Sequence, residues 1–335
     1  MKIPFLATVL LAIFSSVAVG ATNSLQRFCP RFSTSTKITW AAPTNQLPKQ
    51  LWIYHRLPPQ PFPGPLIAAA ANLASIETKS FPPSSTNSFF IPSLPDACGH
   101  GTVVFSLQPD SGTISFSSTN RNQTTNDLPS EAVVTTRAFE CAKRLGLKQA
   151  ELVPKAFCDS FNAPGTGCGS SITGLFGRGI FLSRILDGIS FYGDANNGSD
   201  GLCVDFGSGG KIRSFSLVWP RLERLRQSAC ISPEQIVRCI REQRIIVVPG
   251  DNEENYFDRI QRLTTAKAFT ILKINAAYGE GIFGEAPTNS TPAQFITAFA
   301  EAEALADVGT SKMQVRFVCP IMQSDFDRLI VQKHE

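Results

Sequence analysis

The chain has 335 residues, 43% of them hydrophobic, with 31 basic against 27 acidic side chains and a formal net charge of +4. That length and apolar content suit a globular protein with one large core or a few smaller ones. A charge so small over this length argues against nucleic acid as a partner, because phosphate recognition needs a strongly basic surface.

Met1-Lys2, the apolar run Ile3 to Val19 and the small residues Ala18, Gly20 and Ala21 form a signal peptide over 1–21. The expected location is therefore outside the cell or in the secretory-pathway lumen. No later stretch reaches about eighteen consecutive apolar residues, so no integral membrane segment is expected once the signal is removed. Nine cysteines follow the signal: Cys29, Cys98, Cys141, Cys158, Cys168, Cys203, Cys230, Cys239 and Cys319. Their number fits an oxidising compartment, and an odd count leaves at least one without a partner in its own chain. The sequence contains no Cys-x-x-Cys, which argues against zinc ribbons and thioredoxin-like chemistry; no metal or cofactor is expected. Cys158 and Cys168 flank a Gly-rich loop and are the first candidates for a disulfide, whereas Cys141 and Cys239 fall inside expected helices as buried thiols.

After the signal, Lys37–Trp40 and Leu51–Arg56 read as short strands, and Leu57 to Leu66 carries five prolines in ten residues, an extended arm. Leu66–Ile76 is rich in strong helix formers and predicts a buried helix. Asn87–Ile91, Val103–Leu107 and Thr113–Ser117 predict strands, the last two joined by a turn at Pro109-Asp110-Ser111-Gly112. The polar run Ser118 to Asp127 reads as a loop. Ser130 opens a second helix that runs to about Leu145, with Lys143 and Arg144 in its last turn and Gly146 in the stop position. Glu151–Phe161 is expected to add a short helix.

The clearest architectural signal lies between Gly177 and Leu225. Ile180–Leu186 is strand-like, Asp187-Gly188 is a turn pair, and Ile189–Tyr192 resumes the strand. Leu202–Phe206 and Lys211–Trp219 form a hairpin through Gly207-Ser208-Gly209-Gly210, with Phe215, Leu217 and Trp219 on the face expected to be buried. Ser232-Pro233-Glu234-Gln235 is a strong helix start, with an N-cap Ser, Pro in the first turn and Gln three residues on. Ile245–Val248 is strand-like, Asn252–Leu263 an amphipathic helix, and Phe269–Tyr278 a strand. Gln294–Leu305 is read as a strand despite its Ala and Glu content, because Phe295, Thr297 and Phe299 alternate and Met313–Val318 follows across a polar turn.

Helices beginning near Leu66, Ser130 and Ser232, each followed by strands, form a repetition at roughly one hundred residues. The hairpins from His100 and from Asp200 share the order Gly, Val, Phe, turn, Gly, Ile, Ser, Phe, Ser. The fold class expected is α+β, in tandem units of a helix packed on a curved antiparallel sheet. The expected division is 1–21 signal, 22–125 an N-terminal unit with the Pro-rich segment, 126–228 a central unit and 229–335 a C-terminal unit.

RILDGISFYG from Arg184 to Gly193, SLVWPRLERL from Ser216 to Leu225, and the helix start ISPEQIVRCI from Ile231 to Ile240 resemble PepSY-like and YycH/YycI-like extracytoplasmic proteins. The resemblance spans Ser130 to Ile321 and carries no catalytic signature. It implies a helix lying across a curved antiparallel sheet, repeated in tandem, and a binding or inhibitory role without chemistry. The Pro-rich, aromatic N-terminal third departs from that pattern.

Residues able to carry chemistry are few. His100 sits in Cys98-Gly99-His100-Gly101, where glycines permit close approach of a ligand and Asp96 is near in sequence; a general-base role is one reading and an exposed turn the other. His55 follows Trp52 and Tyr54 on an expected strand, which offers an aromatic-lined binding surface or an ordinary edge strand. GTGCGSSITG and GSGGKI lack the full phosphate-loop patterns, and Ser170 and Ser208 lack the glycines of a nucleophile elbow. Asn122, Asn197 and Asn289 head Asn-x-Ser/Thr sequons in polar loops and are glycosylation candidates. Between Lys211 and Arg244 eight basic residues face three acidic ones, either a solvated surface or a patch for an anionic partner. The function expected is a secreted, disulfide-stabilised, non-catalytic binding or accessory protein acting on a protein or small-molecule ligand. The competing expectation is an exported or lumenal enzyme on a small molecule, in secondary metabolism for example, using His100, His55 and a loop carboxylate.

Overall fold

The computed structural model describes residues 30–43, 47–76, 89–95, 102–118, 127–161, 175–192, 200–248, 256–280 and 295–323. The signal segment, His100, Cys168 and the sequons Asn122, Asn197 and Asn289 lie outside the described residues. In chain order the elements begin with β1 (Lys37–Trp40), β2 (Gln50–Arg56), α1 (Gly64–Leu73), β3 (Phe89–Pro95), β4 (Thr102–Gln108) and β5 (Thr113–Ser118). Next come α2 (Glu131–Arg144), β6 (Leu152–Phe161), β7 (Leu175–Leu186), β8 (Ile189–Ser190), β9 (Gly201–Phe206), β10 (Ile212–Val218) and β11 (Leu222–Ala229). The last are α3 (Pro233–Arg241), β12 (Ile246–Val248), α4 (Tyr256–Thr264), β13 (Ala268–Glu280), β14 (Phe295–Val308) and β15 (Ser311–Pro320). The chain is mixed α+β, with two large sheets in two compact units. One unit holds Leu57–Gly188 and Ser199–Arg221; the other holds the chain up to Arg56, Ile189–Gly198 and Leu222–Glu335. Among the described residues no helix is long and apolar enough to cross a membrane.

The first unit's sheet runs β3-β4-β5-β10-β9-β7-β6, every neighbouring pair antiparallel. The hairpins β4–β5 and β9–β10, which share a residue order in the sequence, meet edge to edge through β5 and β10, with Phe116 opposite Phe215 and Ile114 opposite Leu217. Period-two alternation puts Phe105, Ile114, Ile180, Leu182, Leu202 and Val204 on one face, all fully buried. Val134, Ala138, Cys141 and Ala142 of α2, and Ala70 and Leu73 of α1, join the same core. Their three- and four-residue spacing places a single helical stripe against the sheet. Ser130 caps α2 by accepting from the Val133 N–H, and Gly146 takes a positive φ after its end. After β7 the chain turns at Asp187 and Gly188, with φ of 52° and 79°, the two left-handed positions a tight hairpin needs.

One expectation fails here. Glu151–Phe161 is not a helix: Leu152–Phe161 is β6, the edge strand of this sheet, paired along β7. Pro154 suits the first turn of a helix, but it is equally at home on an edge strand beside a bulge, and the register shifts between Pro154 and Ala156. Pairing with a long neighbour outweighs the weak local preference.

Buried beside this core is an ion pair. Arg184 donates to the Pro220 carbonyl at 2.8 Å, approaches Asp200 at 3.8 Å and lies over the Trp219 ring at 4.2 Å. It ties β7, the start of β9 and the end of β10 together.

In the second unit, β13, β14 and β15 form an antiparallel meander, with β1 added in parallel to β13 and β12 antiparallel to β15. The start of β14 pairs with β2, and β2 with β11. The strand expected over Gln294–Leu305 is present as Phe295–Val308. Ala298, Ala300, Ala302, Ala304 and Ala306 are all buried, while Glu301, Glu303 and Asp307 point the other way. The alternation of Ala with Glu is a two-residue period, and it prevails over helix-forming composition. At α3 the Ser232 hydroxyl accepts from the Gln235 N–H while the Gln235 side chain accepts from the Ser232 N–H. Ile236, Cys239 and Ile240 are buried on one side of this helix.

Candidate functional site

Two strands from distant parts of the sequence form a ribbon in the second unit, and the histidine expected to matter lies on it. β2 has inward Leu51, Ile53 and Tyr54, with Tyr54 set edge-on to the buried Tyr278 ring at 5.3 Å. Trp52, His55 and Arg56 are half-buried. β11, beside it, contains no buried residue, and Glu223 through Gln227 are exposed in succession. A strand normally hides at least one face, so β11 takes no part in filling the core. Among the described residues it pairs with β2 alone.

His55 Nδ1 lies 3.0 Å from Glu223 Oε1, and its ring centroid is 5.6 Å from that of Phe295. The side chains are 30% and 52% exposed, so water reaches both. A carboxylate on one ring nitrogen fixes the imidazole's orientation and leaves the other nitrogen for a ligand. In an open setting this contact favours recognition, since the shielding that strengthens acid–base catalysis is missing. Next to it Arg224 lies over the Trp52 ring at 5.4 Å, a cation–π contact. Leu225, 49% exposed, occupies the bulge between Arg224 and Arg226, and Phe295 is 45% exposed. The ribbon thus offers apolar, aromatic and basic groups on one strand pair.

The basic stretch from Lys211 to Arg244 does not converge into one patch. Arg213 is held by Asp205 at 3.0 Å, and Arg221 by Gln60. Arg238 and Arg244 both reach Glu242, at 2.7 and 2.8 Å, and Arg241 donates to the Thr36 carbonyl. Local partners hold Arg213, Arg221, Arg238, Arg241 and Arg244 apart from one another, and Arg224 and Arg226 lie on the exposed strand.

A second polar group sits on the other side of the β13–β15 meander from the buried alanines. Lys273, Glu303 and Arg316 fall in one cross-strand row, and Asn275, Glu301 and Val318 in the next. The Tyr192 hydroxyl donates to Glu301 Oε2 at 3.0 Å, and its ring packs near Phe299 and a small apolar cluster of Ile246, Ala277 and Val318. Burial, then the neighbouring Glu301 charge and the hydrogen bond to it, push the Tyr192 phenol far above the usual tyrosine range. Tyr192 is therefore a fixed hydrogen-bond donor. Neither it nor Glu301 stands out in the sequence, since the contact joins residues 109 apart.

The thiols fall as expected for Cys141 and Cys239, which are buried in α2 and α3; burial raises them to about 11 and about 12. Cys158 lies on β6 and Cys203 on β9, and the nearby Cys158 and then burial hold the Cys203 thiol well above its usual range. His100, Cys168 and the three sequons lie outside the described residues, as stated above.

No family model and no curated protein matches the chain. Among solved structures, that of an uncharacterized protein from Eubacterium rectale ATCC 33656 aligns over 93% of this chain and 96% of its own length, at 9% identity and a TM-score of 0.44.

Proposed function

We propose that this is a secreted, disulfide-supported binding or accessory protein, built of tandem units of helices on curved antiparallel sheets, that recognises an extended, acidic segment of a partner protein along β11. One observation carries the reading: β11 is paired with β2 on one side, with a bulge at Leu225, and yet none of its residues is buried. Strand addition at such an edge supplies main-chain hydrogen bonds, while Leu225, Phe295 and the Arg224–Trp52 stack supply side-chain selectivity. Arg224 and Arg226 favour acidic residues opposite. The resemblance to PepSY-like and YycH/YycI-like proteins supports the same non-catalytic role.

Photo-crosslinking tests it. A photoreactive side chain at position 225 of the secreted protein should trap a discrete partner, and Arg224→Glu with Arg226→Glu should abolish the adduct. Equal labelling from position 133, an exposed site in the other unit, would mark the adducts as non-specific and sink the proposal.

The His55–Glu223 contact favours a second reading, an exported or lumenal enzyme acting on a small molecule. Under it, a strain deleted for the protein accumulates a precursor, and His55→Gln reproduces that accumulation; unchanged metabolites in both strains count against it.

A further inference from the structure

The bulge in β11 decides which residue pattern this edge accepts, given the reading above that β11 takes an extended, acidic segment. Arg224 is opposite Tyr54 and Arg226 opposite Ile53, consecutive residues of β2, with Leu225 the extra residue between the two arginines. Residues two apart on a regular strand point the same way. One inserted residue reverses that phase, so Arg224 and Arg226 stand on opposite faces of the ribbon. Two contacts agree with this. Arg224 lies over Trp52, which shares a face with Tyr54, and Glu223 meets His55, which shares the other face with Ile53.

The backbone shows where an added strand fits. At one end of the ribbon the Leu57 N–H donates to the Arg221 carbonyl at 2.9 Å, and at the other the Cys230 N–H donates to the Lys49 carbonyl at 2.9 Å. Bonded and non-bonded pairs alternate along an antiparallel ladder. Counting inward from those two ends, the N–H and C=O groups of Leu222, Arg224, Gln227 and Ala229 point away from β2. Just beyond Ala229 the same edge already holds added chain: the Ile231 N–H donates to the Ile321 carbonyl at 2.8 Å, and Met322 bridges Cys230 in antiparallel sense. That contact bounds the edge and leaves the eight residues of β11 for an incoming strand.

We propose that β11 selects a partner segment with two acidic residues in immediate succession. Successive side chains of an added strand alternate between faces. One carboxylate therefore reaches Arg224 on the Trp52 face, and the next reaches Arg226 on the His55 face. Acidic residues two apart lie on a single face and reach a single arginine. On the His55 face Glu223 neighbours Arg226, since their partners His55 and Ile53 are two apart on β2, and its charge disfavours a longer acidic run.

The test uses the full secreted chain and three fluorescent eight-residue peptides of alternating Val and Thr: one with a central Glu-Glu, one with Glu-Thr-Glu and one without acid. Anisotropy titrations at low salt should rank them in that order. The first should bind about threefold to fivefold tighter than the second, the effect of one more half-exposed ion pair. Arg226→Gln combined with Gln227→Arg exchanges two exposed neighbours and moves the second cation to the Trp52 face, because Gln227 is opposite Trp52. Charge and composition are unchanged, yet the order of the two acidic peptides should reverse. Equal binding of those two peptides, or an order that the exchange leaves as it was, overturns the spacing while strand addition at β11 stands. Failure of all three peptides to bind overturns strand addition as well. Self-association seen by sedimentation and abolished by Arg224→Glu puts a second copy of the chain on the edge and likewise overturns the proposal.

Discussion

Gly201 opens β9 with a φ of +148°, and an added Cβ would stand 2.1 Å from the Leu182 carbonyl oxygen. Side-chain carbons essentially never approach below 3.0 Å, so Gly201→Ala must move β9 off β7 by about 0.9 Å, the difference between those two distances. The Arg184 N–H to Asp200 carbonyl bond beside it is 3.0 Å long, and such a displacement takes it past the limit of a hydrogen bond. One or two buried ladder groups then go unsatisfied at about 1–3 kcal/mol each. Backbone strain for an L side chain adds about 1–2 kcal/mol, and the total expected is about 2–8 kcal/mol. Gly188→Ala is the control: its φ is +79° but nothing lies within 4 Å of an added Cβ, so only the strain, about 1–2 kcal/mol, should appear. Of the three tryptophans in the chain, Trp219 alone belongs to the first unit. Urea unfolding followed by Trp219 fluorescence in a Trp40→Phe, Trp52→Phe background therefore reports that unit. A loss for Gly201→Ala no larger than for Gly188→Ala would refute the close approach of β7 and β9.

Two other substitutions probe the second unit. Ser232→Ala removes the cap of α3 and should lower stability by about 1 kcal/mol in urea unfolding, whereas Ser232→Asp, which keeps an acceptor, should restore most of it; equal losses would argue against the capping box. Tyr192 has its folded pKa raised above its unfolded value near 10, so above about pH 10 the unfolded chain loses a proton that the folded chain keeps. Its contribution is present below that pH and is lost as pH rises, with a slope of up to about 1.4 kcal/mol per pH unit. Alkaline unfolding of Tyr192→Phe should be shallower than that of wild type; identical slopes between pH 10 and 11.5, roughly, would show that Glu301 does not hold the phenol.

Much of the fold is local enough to be read from the sequence. The capping box at Ser232 and Gln235, the Asp187-Gly188 turn and the period-two burial of β4, β5, β9 and β10 each follow from contacts within a few residues. Even β14, with its helix-forming alanines, declares itself through the alternation with Glu301 and Glu303. The site is another matter. His55 stands out because histidine is rare here, but its partner Glu223 is 168 residues away. β11 escapes notice since it buries nothing, and hydrophobic periodicity finds only strands that bury something.

What the sequence by itself determined is which segments alternate, which turn and which cap, because those rest on short-range sterics and hydrogen bonding. The tertiary structure alone decided that β6 is a strand, that β1 and β2 join the C-terminal half, and that Arg213, Arg238 and Arg244 are tied to Asp205 and Glu242. Each of these depends on which strand lies next to which, and that is fixed by the packing of the whole sheet.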